Sequence, residues 1–215
     1  MKIEVYSDIA CPWCHVGERR LEQALAEYAG QDELEVVFLP YQLDPDAPDT
    51  PIPMREHLAR RFGAVARTMA DRVSATAAGE GIVMDWGRAL AVNTFSAHRL
   101  ARHARLEYGP DVQRALMRKL FTAHFAEGRD VSDYDQLVEL AGSVGINANR
   151  ARNYLASGEG SDELRQELAQ ARGSGIQAVP TFVIDDRFMI QGAQPAATFL
   201  ELFAEVERRQ VSPAG

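Results

Sequence analysis

The chain has 215 residues and a mass of 23.8 kDa, with 46% hydrophobic residues, 25% charged residues and a mean hydropathy of -0.24. At roughly 150 residues per average domain this is one large domain or two small ones, and the composition excludes a disordered, collagenous or membrane-spanning chain. Twenty-three basic against 31 acidic residues leave a net charge of -8, so nucleic acid or any other polyanion would meet a repulsive field.

In chain order, Lys2 to Tyr6 alternates polar and apolar residues and Leu34 to Leu39 is a compact apolar run ended by Pro40, so both are predicted strands. Between them Val16, Leu21, Ala24, Leu25 and Tyr28 recur at helical spacing, with Pro12 in the first turn and Gly30 past the end. A β-α-β unit of this length implies parallel strands and a right-handed crossover. Asp44 to Thr50 has the composition of a linker, and beyond it the strand signal vanishes for more than a hundred residues. Punctuation places helices there: Asn93 caps a run to Tyr108, and Pro110 opens one to Ala126. Ser132 with Asp135 resembles a capping box for a run to Val144, and shorter helices follow near Asn149 and from Ser161. Gly79-Glu80-Gly81 reads as a turn between helices, and no phosphate-binding glycine motif occurs. Thr181 to Ile184 and Phe188 to Ile190 flank Asp185-Asp186-Arg187 as a hairpin, and a last helix runs from Pro195 to about Arg209. Neither flank alone covers both faces of a sheet, so one α/β domain interrupted by helices is expected rather than two successive domains.

The two cysteines, Cys11 and Cys14, stand in Cys11-Pro12-Trp13-Cys14, directly after a strand and at the opening of a helix. The free N–H groups and positive end of that helix favour a Cys11 thiolate, by about 0.3 to 1 kcal/mol when exposed. Cys14, one turn in, is expected to stay buried and protonated until it resolves a mixed disulfide. Two merely packed cysteines, or half of a zinc site, are the plainer alternatives; no second Cys or His pair at ligand spacing supports a metal. Cys11 to His15 also fits the C-x-x-C-H attachment sequence of a c-type haem, which requires export. The N-terminus lacks a signal-peptide pattern and no run approaches ~18 apolar residues, so a cytoplasmic protein with no membrane partner is expected.

Ala178-Val179-Pro180-Thr181-Phe182 puts a proline at the start of a strand. On its own this is a strand-edge proline; with the Cys pair at the other end of the chain, a cis Val179-Pro180 bond opposite the cysteines is expected. These features, the stretches Pro40 to Pro45, Asn93 to Leu100 and Leu120 to Asp130, and Gly175 to Pro195, make the chain resemble the FrnE-type branch of the DsbA family. The resemblance implies a thioredoxin-like α/β fold, residues 1–45 and 161–215, with an all-helical domain, 46–160, inserted between the N-terminal β-α-β and the C-terminal β-β-α. It further implies Cys11 as nucleophile, Cys14 as resolver, Pro12 and Trp13 as the intervening dipeptide, and Val179 with Pro180 as the substrate-holding loop. His15 and His124 depart from the family by replacing aromatic residues, and no additional cysteines are present.

The same superfamily includes 2-hydroxychromene-2-carboxylate isomerase and kappa-class glutathione transferase, which commonly carry serine at the first position. Cys11 and Cys14 together favour a thiol-disulfide oxidoreductase over those glutathione-dependent enzymes or a holdase. It would need no cofactor beyond its own redox-active pair, with a low-molecular-weight thiol as an optional co-substrate. Protein or small-molecule disulfides are the expected substrates, and a cellular thiol reductant would recycle the pair. Two further residues are candidates for tuning it. His15, four residues after Cys11, could act as a nearby cation or simply pack. Asp8 could help move the Cys14 proton or be a loop residue. His98 is expected to be a structural hydrogen-bonding residue, and His124 to lie in the core or line a groove.

Overall fold

A computed structural model describes residues 1–30 and 34–211. Strand β1 (Lys2–Ser7) is followed by helix α1 (Pro12–Glu27) and strand β2 (Glu35–Pro40), and β1 and β2 pair in parallel with Val5 opposite Phe38. At the other end of the chain β5 (Thr181–Ile184) and β6 (Phe188–Gln191) complete a mixed sheet of order β2-β1-β5-β6, both added antiparallel. Ile3, Val5 and Ser7 alternate inward along β1, the period of a strand whose inner side chains meet a core. Asp185 and Asp186 hold φ of 48° and 55°, and Arg187 N–H donates to the Ile184 carbonyl at 3.1 Å. Two left-handed residues in succession give the type I′ turn whose twist suits a tight hairpin.

Between the two halves of the sheet lie α2 (Met54–Phe62), α3 (Ala66–Gly79), α4 (Phe95–Tyr108), α5 (Pro110–Thr122), α6 (Tyr134–Ser143), α7 (Ala148–Ser157) and α8 (Ser161–Gly173); α9 (Ala196–Val211) ends the fold. This is the expected thioredoxin-like α/β fold with a helical insertion. Phe199 of α9 meets Phe182 of β5 edge-on at 4.8 Å, and Phe203 meets Tyr28 beyond the end of α1 at 5.2 Å, so α1 and α9 cover one face together. The outer edge of β2 is closed by a side chain: Phe38 N–H donates to Gln113 Oε1 at 2.9 Å, and Gln113 Nε2 donates back to the Phe38 carbonyl at 2.8 Å. A buried glutamine thus takes the place of another strand on an edge that would otherwise leave its backbone unpaired.

Three local expectations differ from the structure. Residues beyond Asp44 are not wholly strandless, because Ile52–Pro53 (β3) and Leu90–Ala91 (β4) form a two-residue antiparallel ladder. The cap of α6 is Asp133, whose carboxylate accepts from Gln136 N–H at 2.9 Å, while Ser132 turns back to Asp130. The run from Pro110 leaves α-helical geometry at Ala123 and closes with a π-helical turn over Ala123–Glu127. Gly128 ends that turn at φ 68°, and a Cβ there would stand 2.5 Å from the Arg88 carbonyl oxygen, so only glycine fits without displacement. Buried Arg99 ties α4 to α7: its guanidinium donates to the carbonyls of Tyr154, Leu155 and Glu159, a cation at a helix C-terminus.

Candidate active site

Cys11 is the N-cap residue of α1, in extended backbone conformation, and Pro12 occupies the first turn where its missing N–H costs nothing. The chain reaches this position by a tight turn after β1, in which Cys11 N–H donates to the Asp8 carbonyl at 3.0 Å. Both cysteines are free thiols, and Cys14 is the more deeply buried. The Cys11 sulfur lies 3.6 Å from the Val179 carbonyl oxygen, as donor to it, and the Val179–Pro180 peptide bond is cis. One end of β5 is thereby brought against the opening of α1, although the two segments are far apart in sequence. Burial and the adjoining Cys11 sulfur push the Cys14 thiol well above its ordinary value, opposed in part by the Asp8 backbone N–H and the Ser7 hydroxyl. A thiol in that setting keeps its proton at neutral pH. Trp13 packs sideways onto the buried group Val16, Val73, Ala77 and Ile82, so the dipeptide anchors α1 to α3.

Asp8 is buried and its carboxylate is fully engaged. Oδ1 accepts from Ala10 N–H at 3.2 Å and from Thr94 Oγ1 at 2.9 Å and faces His98 Nε2 at 3.3 Å; Oδ2 accepts from Leu43 N–H at 2.8 Å. Burial raises its pKa, but these partners, His98 first, outweigh burial and hold it below the usual carboxylate range. The carboxylate serves as a charged staple between the loops after β1 and β2 and the start of α4, and it is the backbone N–H of Asp8 that faces Cys14.

For His15, packing is the alternative that its surroundings match. Its ring stacks on Phe121 at 5.2 Å with an interplanar angle of 8° and on Phe125 at 6.2 Å, and its Nδ1 has no hydrogen-bond partner among the described residues. Burial, with a smaller contribution from His124, lowers its pKa to about 4, so the ring is neutral at physiological pH. His124 sits in the π-helical turn with neither ring nitrogen bonded among the described residues, edge-on to Phe125 at 4.6 Å, and burial lowers its pKa to about 4 as well. Both histidines are parts of an aromatic layer behind α1, and His98 is the structural partner the sequence suggested.

Gly17 was not singled out by the sequence. A Cβ there would stand 2.8 Å from Pro180 Cγ and 3.2 Å from Phe182 Cζ, so the bare backbone of α1 is what lets Pro180 approach the Cys-bearing turn. A glycine inside a helix costs about 1 kcal/mol relative to alanine, and that cost was the available signal. A cavity of about 420 Å³ between α2 and α3, with Trp86 in its wall, includes none of Cys11, Cys14, Val179 or Pro180 in its lining.

The DSBA-like thioredoxin domain family matches residues 2–204. A probable DsbA oxidoreductase from Streptomyces coelicolor, solved as a crystal structure, is 35% identical and superposes with a TM-score of 0.86 over 95% of this chain and 89% of that one. The cytosolic disulfide reductase DsbM from Pseudomonas aeruginosa, solved with GSH, is 20% identical with a TM-score of 0.67 over 97% and 100%. A 2-hydroxychromene-2-carboxylate isomerase is 16% identical with a TM-score of 0.69 over 98% and 97%, and these last two likenesses are of fold. With the family match running from β1 into α9, the chain belongs to the DSBA-like thioredoxin domain family.

Proposed function

We propose that this protein is a cytoplasmic thiol–disulfide oxidoreductase acting as a reductase or isomerase on disulfide substrates through Cys11 and Cys14. The observation that carries the reading is the pair of free, buried thiols one turn apart at the start of α1, with the Cys11 sulfur 3.6 Å from the Val179 carbonyl and Cys14 the deeper of the two. The Cys11 thiolate attacks one sulfur of a substrate disulfide, forming the mixed disulfide and releasing the other substrate sulfur as a thiolate that takes up a proton. Cys14 then gives up its proton and attacks the Cys11 sulfur, expelling the second substrate thiol. Two electrons have passed to the substrate, and Cys11–Cys14 is a disulfide. A low-molecular-weight thiol, the kind of molecule present in the DsbM structure, would return it to the dithiol.

The sulfur that must carry negative charge during attack sits at the positive end of α1. The retained proton on Cys14 keeps the resolver silent until the mixed disulfide has formed. Extended substrate would pair with the Val179 backbone as a short added strand. Insulin reduction by the wild type, Cys11→Ser and Cys14→Ser tests the reading: activity in the wild type and none in Cys11→Ser is expected. Undiminished reduction by Cys11→Ser would refute it. Turnover of a small electrophile with glutathione, unaffected in Cys14→Ser, would move the assignment to the isomerase and transferase side of the superfamily.

A further inference from the structure

Ser7 is a polar residue at a position where β1 turns apolar side chains to the core. The inward residues of the strand are Ile3, Val5 and Ser7, and Ser7, at its end, is 1% exposed. Its Oγ is buried and completes no hydrogen bond among the described residues. Buried Thr94 and Thr181, by contrast, donate to Asp8 Oδ1 at 2.9 Å and to the Ala178 carbonyl at 2.7 Å. A hydroxyl shut away from water without a partner is costly, and in a folded core it calls for a reason in structure or chemistry. The group it faces is the Cys14 sulfur, equally buried. A protonated thiol is a weak acceptor and gives the hydroxyl little to bind, whereas a thiolate is a strong one.

A second donor points at the same sulfur, the backbone N–H of Asp8. Both donors stand on fixed backbone. The Ser7 carbonyl accepts from Tyr41 N–H at 3.0 Å, continuing the pairing of β1 with β2, and the Asp8 carbonyl accepts from Cys11 N–H at 3.0 Å. The Asp8 carboxylate is taken up by Ala10, Leu43, Thr94 and His98 and has no proton to offer. The hydroxyl needs only to turn its own O–H bond toward a charge that forms beside it. Donors already in place where charge develops stabilise it without reorganising the site.

We propose that the Ser7 hydroxyl is a catalytic hydrogen-bond donor to the Cys14 thiolate of the resolving step. The proposal rests on the oxidoreductase reading above and adds a residue to its second half. Cys14 sheds its proton to solvent, and the negative charge left on its sulfur is met by the Ser7 O–H and the Asp8 N–H. The thiolate then attacks the Cys11 sulfur. The Cys11–Cys14 bond forms as the bond from Cys11 to the substrate sulfur breaks, and the electron pair leaves with the substrate thiolate. Ser7 has no part in the first step, where the charge lies on Cys11.

The test is stopped-flow reaction of the reduced protein, at constant pH, with one equivalent of dithiobis(nitrobenzoic acid), whose two halves absorb visible light as each is released. Attack by Cys11 releases the first half and resolution by Cys14 the second, so Cys14→Ser should release only the first. Ser7→Ala should slow the second release by about 10- to 100-fold, the range for one hydrogen bond to a charged group, and leave the first within about twofold. Its dithiol–disulfide equilibrium with glutathione should also hold within about twofold, because neither end state carries a Cys14 thiolate. A substitution that merely loosened the site would move the first release and that equilibrium too. Ser7→Thr and Ser7→Val share a shape and differ in a hydroxyl against a methyl, so their packing cost is common, and Ser7→Thr should resolve about tenfold faster than Ser7→Val. A second release unchanged in Ser7→Ala, equal losses on both releases, or equal rates in the two branched variants would overturn the role of Ser7. No release from the wild type would overturn the oxidoreductase reading itself and this step with it.

Discussion

Two buried polar regions flank the start of α1, and burial acts on them in opposite ways. Around Asp8, four groups from three separate segments point at one carboxylate, which stays ionised inside the core. Along the flank of α1 that faces α5, His15, Glu18 and His124 are also buried, but His15 Nδ1, Glu18 Oε1 and both His124 ring nitrogens have no hydrogen-bond partner among the described residues. The histidine pKa values fall to about 4, and that of Glu18 rises to about 8 under burial and the neighbouring Glu22. Glu18 meets the Arg118 guanidinium only at 3.8 Å, too far for a hydrogen bond. Enclosure with donors preserves a charge and enclosure without them removes it. The Asp8 carboxylate is therefore a fixed charge near the cysteines, whereas His15 and His124 are neutral rings at physiological pH.

The contrast predicts a ranked set of stability effects. Asp8→Ala should be the most damaging, at about 3 to 5 kcal/mol in denaturant unfolding, because it strands the donors of Thr94, Leu43 and Ala10 around an empty centre. Since the folded pKa of Asp8 is depressed, its contribution is present above the ordinary carboxylate value and fades as pH falls below it. A cost under 1 kcal/mol would show that the staple is not holding these loops.

The histidines give the next effect. Their folded pKa values lie near 4 against 6.5 when unfolded, so across that window the unfolded chain binds protons that the folded core refuses. Stability should fall on acidification from about pH 6.5 to about pH 4, by about 1 kcal/mol per pH unit for each ring. His124→Phe should flatten that decline, and an unchanged slope would contradict the assignment of a neutral ring. Glu18 has the opposite sign: its folded pKa is raised, so the stability it contributes in acid is lost as pH climbs from about 4.5 to about 8. Glu18→Gln should gain on the wild type across that range, again by about 1 kcal/mol per unit at the steepest point. Unfolding curves with equal pH dependence in the two proteins would count against it.

Gly17→Ala should cost the least in stability, about 1 to 2 kcal/mol from overpacking against Pro180, offset in part by better helix propensity. Its larger mark should fall on function, because the added methyl pushes Pro180 and Val179 away from Cys11. Insulin reduction should drop several-fold more than reaction with a small disulfide; equal losses would mean that the approach of Pro180 does not matter for holding substrate.

What the sequence made legible was local. The Cys pair announced itself by its spacing between a strand and a helix, the hairpin by its run of Asp185-Asp186-Arg187, and Pro180 by standing at a strand start. Features that depend on distant segments meeting were out of reach. Asp8 gathers Leu43, Thr94 and His98, and nothing near Asp8 in the chain says that they will converge. Gln113 could not be known as the closing piece of β2 before α5 was laid beside that edge. The sequence left His15 open between a cation and a packing residue, because its helical spacing places it on the Cys11 side of α1, while the rings it stacks on come from the far end of α5 and the π-helical turn. The Asn93 to Leu100 and Leu120 to Asp130 stretches were noticed as patterns, and their physical content became visible only as Asp8 ligands, the Arg99 cap and the Gly128 turn.

The proposed function requires an unequal pair of thiols, an attacking Cys11 and a resolving Cys14. Intact-mass spectrometry after mixing each single Cys→Ser variant with a substrate disulfide reads that inequality. Cys14→Ser should accumulate a covalent adduct at Cys11, because the nucleophile is present and nothing displaces the bound substrate; Cys11→Ser, left with a buried and protonated Cys14, should remain unmodified. Equal adduct formation in both variants, or adducts only on Cys14, would contradict the roles assigned to the two residues.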